Sequence, residues 1–63
     1  MAKTNVEVKL VGEDGNAFAI LGKVSRELRR AGHKDLAEEY MKEATSGDYD
    51  HLLAVTQDFV TVT

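Results

Sequence analysis

The densest group of reactive side chains is Asp48-Tyr49-Asp50-His51, two carboxylates and an imidazole within four residues. Carboxylate oxygen and imidazole nitrogen are ligand types of metal centres. A catalytic zinc needs three protein ligands, with its imidazoles at helix spacing. The chain has 2 histidines, so only His33 is left to join from elsewhere. The ligand pattern of a calcium loop is also absent. The simpler reading is a helix start. Asp48 is then the N-cap, and Asp50 stands in the first turn, where a negative charge suits the positive end of the helix dipole. No metal or other cofactor is expected.

Hydrolytic chemistry would draw on Ser25, Ser46, His33 and His51. Neither serine sits in a nucleophile elbow or a comparable signature. Glu38 and Glu39 are adjacent on a helix, on what reads as its solvated face. The segment Gly12-Glu13-Asp14-Gly15 joins an expected strand to an expected helix, the setting of a phosphate loop. It lacks the spacing G-x-x-x-x-G-K-[ST] and its lysine, and its two acids occupy the place a phosphate would need. A chain of 63 residues has little material for an enclosed pocket. The expectation is a protein that is not an enzyme and has no catalytic residues.

Charge offers a better candidate. The formal net charge is -3, unevenly placed. Residues 23–34 hold five cations against Glu27, a local excess of four positive charges, whereas residues 35–63 hold Lys42 against seven acids. Lys23, Arg26 and Arg30 share one helix face, flanked by Arg29 and Lys34. Such a stripe could follow a phosphate backbone with salt-dependent affinity. Set against that are the acidic whole and the lack of any recognition motif or aromatic stacking platform. A solvated face paired with acids is the simpler reading, and nucleic-acid contact through these five residues is the alternative.

The elements that would position these groups follow from periodicity. Val6, Val8 and Leu10 alternate with polar residues from Asn5 to Val11, as in a half-buried strand. Gly12 to Asn16 then form a turn, with Asp14 or Asn16 able to cap a helix. From Ala17 to Ala31, Ala17, Ile20, Leu21, Val24, Leu28 and Ala31 fall in one arc, with Phe18 on its shoulder. Gly22 lies on the opposite side, where it costs about 1 kcal/mol of helix propensity with no evident reason. Gly32 is placed as the left-handed stop.

A second helix starts near His33 to Asp35 and runs to about Ser46. Its apolar stripe is Leu36, Ala37, Tyr40, Met41 and Ala44, Glu38 and Lys42 can pair, and Gly47 is its expected stop. Asp48 opens a third helix, apolar all round from Leu52 to Val55 and so expected to be the most enclosed. Phe59 to Thr63 reads as a terminal strand.

The fold class is therefore α+β in the order β-α-α-α-β. Two terminal strands form a small sheet packed on three helices, in one domain spanning residues 1–63. Four antiparallel reversals would leave the last strand parallel to the first if no helix lies crosswise, so the sequence leaves the direction of the strand pairing open.

With 0 Cys there is no disulfide or thiolate metal site. So short a chain has a marginal core, and small domains commonly gain stability by association. A homodimer is the expected partnership, with Phe18, Tyr40 and Phe59 as candidate interface residues, although packing within one chain accounts for them more simply. The longest apolar run, Ala17 to Leu21, is far short of a membrane span. With no basic start and apolar segment of a signal peptide, the expected compartment is the cytoplasm.

The blocks G-E-D-G-N-A-F (residues 12–18) and S-G-D-Y-D-H-L-L (residues 46–53) carry a resemblance. Together with V-K-L-V before them and a β-branched end, they resemble a family of small proteins from bacterial genomes and phage or other mobile elements, whose function is not known. The resemblance runs from Val8 to Val62 and implies no activity, cofactor or site residue. Function then rests on the residues themselves: a non-catalytic protein-interaction or accessory module, or alternatively a weak nucleic-acid binder.

Overall fold

The computed structural model describes residues 3–10 and 17–63. The turn expected at Gly12 to Asn16, its capping by Asp14 or Asn16, and the strand end at Val11 lie outside the described residues. The elements run β1 (Glu7–Val8), α1 (Ala17–Arg30), α2 (Lys34–Ala44), α3 (Tyr49–Phe59) and β2 (Thr61–Val62). This is the α+β order β-α-α-α-β, and the two strands pair in parallel, Glu7 with Thr61 and Val8 with Val62. Beyond these pairs, Thr61 N–H donates to Val6 O at 2.9 Å and Thr63 N–H to Val8 O at 3.0 Å.

Each helix forms for a local reason. The apolar arc of α1 buries Ile20, Leu21, Val24 and Leu28. The helix stops where Gly32 takes φ +87, a conformation that costs glycine nothing. Gly32 N–H then reaches Arg29 O at 3.0 Å and His33 N–H reaches Leu28 O at 2.8 Å. These two bonds make a Schellman motif, which satisfies carbonyls that the helix leaves open. At α3, Asp48 is extended, and its carboxylate accepts from His51 N–H at 2.9 Å.

Several boundaries differ from the sequence reading. β1 is shorter than Asn5 to Val11. α3 takes in Phe59, so the terminal strand does not begin there. Leu52, Val55, Thr56 and Phe59 recur at steps of three, one and three, so the helical stripe continues through the aromatic and outweighs its β propensity. Nor is α3 enclosed on every side, since Ala54 is exposed and Leu53 half-buried. The Glu38–Lys42 pair is not formed. Among the described residues the ion pairs are Lys3–Glu39 at 3.4 Å and Arg30–Glu27 at 3.6 Å.

The core gathers around Tyr40 and Phe59, both with 0% of their surface exposed. Their rings meet edge to face with centroids 5.5 Å apart, a favoured aromatic geometry. Both are therefore packing residues of a single chain and are unavailable as dimer contacts. The Tyr40 hydroxyl lies 2.8 Å from Thr56 Oγ1, which itself donates to Leu52 O at 2.8 Å. Thr56 has one proton and gives it to the carbonyl, so Tyr40 is the donor between the two. No buried side-chain polar atom among the described residues is left without a partner.

This direction of donation makes the two partners unequal. Thr56→Val strands a buried phenol O–H and is expected to cost about 1–3 kcal/mol, whereas Tyr40→Phe leaves the Thr56 donor satisfied and costs less. Urea unfolding of both variants checks the order. Burial pushes the Tyr40 phenol above its usual value. An acid held protonated in the fold contributes stability that is whole below about pH 10 and is lost above it, as the unfolded phenol ionises. Tyr40→Phe should flatten that alkaline loss.

Candidate functional site

The chemistry-bearing residues separate on folding. His33 stands at the N-terminus of α2, without a side-chain capping bond. His51 reaches the C-terminus of the same helix, whose eleven residues span about 16 Å. Among the described residues no group of three His, Asp or Glu side chains is placed to hold a metal ion. A groove of about 660 Å³ between β1 and the α1–α2 turn holds His33, but Lys3 and Arg30 share it with Glu7 and Glu27. Charges of both signs line it, and no set of groups converges there on one ligand.

Ser46 and His51 do come together, with Oγ 3.1 Å from Nε2. Both also reach Glu43 O, Ser46 Oγ at 2.7 Å and His51 Nε2 at 2.9 Å. A carbonyl only accepts, so Nε2 must carry a proton here. An Nε2–H cannot take a proton from Ser46, so in this arrangement the pair is not a nucleophile with its base. The two side chains cap the last turn of α2, joined by Thr45 Oγ1, which donates to Met41 O at 2.7 Å. Asp48 is likewise occupied as the N-cap of α3.

Gly47 is needed here for its size. It does not adopt the left-handed conformation expected of a stop, and α2 has already ended at Ala44. A Cβ at Gly47 would lie 2.7 Å from His51 Cγ. The bare backbone makes room for the imidazole to lie across the α2–α3 connection. No sequence signal marks this, because the contact comes from the following helix.

The basic stripe divides. Lys23 Nζ donates to Lys9 O at 2.6 Å, in the residue that follows β1, and Arg30 pairs with Glu27 on its own helix. Arg26, Arg29 and Lys34 project into solvent. The five cations therefore do not form one free row.

The unusual feature of α1 is hydrophobic. Phe18 is 85% exposed, the largest value among the large apolar side chains of the described residues that reach the surface. It stands as a ridge between two hollows. One is a notch over Gly22, reaching Lys23 and Arg26, and a Cβ at Gly22 would meet nothing within 4 Å. The other, about 260 Å³, is apolar at its base through Leu21, Ala44 and Leu52 and is bordered by Tyr49 and Asp48. Sequence reasoning named Phe18 from its place at the margin of the apolar arc, and Gly22 as a glycine without a packing role. Their adjacency on the solvent face is what the fold adds.

If Gly47 exists to admit the imidazole, Gly47→Ala should cost about 1–3 kcal/mol, in the range of an overpacked site. In a His51→Ala background that cost should largely vanish. A double-mutant cycle followed by thermal unfolding checks this, and strictly additive costs would contradict the contact. Comparison of the chain with protein-family models, with curated proteins and with solved structures finds no match.

Proposed function

We propose that this chain is a non-catalytic protein-interaction module whose contact surface is the outer face of α1. The observation that carries this reading is Phe18, a large aromatic 85% exposed beside a glycine notch and an arginine. Phenylalanine and arginine are among the residue types enriched at protein interfaces. A helix-interior glycine costs the isolated fold about 1 kcal/mol, and the exposed ring offers apolar area that a partner buries on binding. Among the described residues no helix is long and apolar enough to cross a membrane. A reducing cytoplasm suits a chain with 0 Cys.

Nucleic-acid binding through the same helix is the second reading. It is favoured by one observation, that Phe18 adds a stacking surface near the exposed Arg26 and Arg29. The net charge of -3 and the internal engagement of Lys23 and Arg30 count against it.

A photo-crosslinking residue placed at Phe18 should yield discrete protein adducts, and the same residue at the exposed Glu38 should yield none. Equal labelling at both positions refutes the assignment of this face. A single-stranded DNA shift that is lost in Arg26→Glu moves the assignment to nucleic acid.

A further inference from the structure

We infer that the outer face of α1 is where two copies of this chain meet, crossing antiparallel so that Phe18 of each lies over Gly22 of the other. The inference rests on the preceding reading of this face as a protein contact and names its occupant.

The first argument is self-complementarity. A two-fold interface presents the same patch on both partners, so that patch must carry both a projection and the recess that receives it. Phe18 and Gly22 are one helical turn apart on the same face. With the two-fold axis between them, position 18 of one helix falls opposite position 22 of the other, and the reverse. Gly22 has no neighbour within 4 Å of where its Cβ would be, so nothing among the described residues occupies that space. A glycine at a crossing lets two helices approach closely, and the ring that fills the recess lies one turn away.

The second argument is charge. The α1 end that carries Phe18 adjoins the start of α3, where Asp48 and Tyr49 border the apolar hollow and Asp50 is exposed. The other half of α1 carries Arg26 and Arg29, also exposed. An antiparallel crossing sets the basic half of each helix toward the acidic α3 start of its partner. A parallel crossing would instead align arginine with arginine. The surface is thus matched to a second copy in one orientation only, and the match predicts weakening by salt.

A third consideration is the size of the core. Strands of two residues and short helices of eleven give a single copy little apolar depth, and association is a common remedy where crosslinks are absent.

The test is sedimentation equilibrium of the whole chain from about 5 µM to about 1 mM, at low and high salt, on wild type, Phe18→Asp and Gly22→Leu. Circular dichroism first verifies that both surface variants are folded. The expected result is a mass rising with concentration from 6.9 kDa to twice that value. The dissociation constant should rise about thirtyfold or more in each variant, the scale of a hot-spot loss, and rise with salt in the wild type. A wild-type chain that stays single at the highest concentration overturns the inference, while adducts at position 18 with other proteins would still uphold the reading of the face. A dimer indifferent to both substitutions also overturns it, since the contact would then lie elsewhere.

Discussion

Phe59 is the residue through which the separate parts of this molecule are tied. Its ring meets Tyr40 of α2 edge to face at 5.5 Å. The Lys3 ammonium lies 4.3 Å from the ring centroid, an attraction of cation to π face. Its carbonyl accepts the buried Thr4 hydroxyl at 2.8 Å, and Lys3 N–H reaches the neighbouring Asp58 O at 2.8 Å. One residue at the end of α3 thus holds a helix on one side and the segment leading into β1 on the other. The next residue, Val60, is extended and only 1% exposed, and it begins the run into β2. If Phe59 were shifted by one position, the anchoring of β1 and the register of the sheet would move together.

The rest of the stabilisation is distributed in small closures rather than in one large core. Each helix junction is sealed by its own device. Gly32 ends α1 by backbone geometry, and the Ser46, Thr45 and His51 side chains close α2. Asp48 opens α3. Lys23 covers the carbonyl of Lys9, just past the end of β1, and so shields the strand's open side. These devices use nearly all the polar chemistry that could otherwise be mistaken for a catalytic group. The Ser46–His51 approach is the clearest case, because the carbonyl beneath them decides the direction of both hydrogen bonds.

Much of this was legible from residue types. The amphipathic arc of α1, the Asp48 cap and the Gly32 stop all follow from local rules, whereas the direction of the strand pairing stays open until the fold is seen. What was not legible depends on contacts across the chain. Phe59 reads as a strand residue until its spacing from Leu52 and Val55 is set beside the packing of Tyr40. Gly47 reads as a helix stop because the imidazole it admits belongs to the next helix. Phe18 reads as a core or interface aromatic, and only the placement of α1 shows that its ring faces outward. Likewise the basic stripe looks continuous in projection, whereas the fold draws Lys23 back to the sheet and Arg30 to Glu27.

The pairing of Val8 with Val62 has a kinetic side. The three helices between them are short and joined by tight connections, so their mutual contacts involve nearby stretches of chain and can form within microseconds to milliseconds. The two strands must close the longest loop in the molecule before they gain a single bond. The order of the elements therefore completes all three helices before Val62, the partner of Val8, has been added to the chain. Synthesis and loop closure thus set the same sequence of events, with the sheet as the closing step.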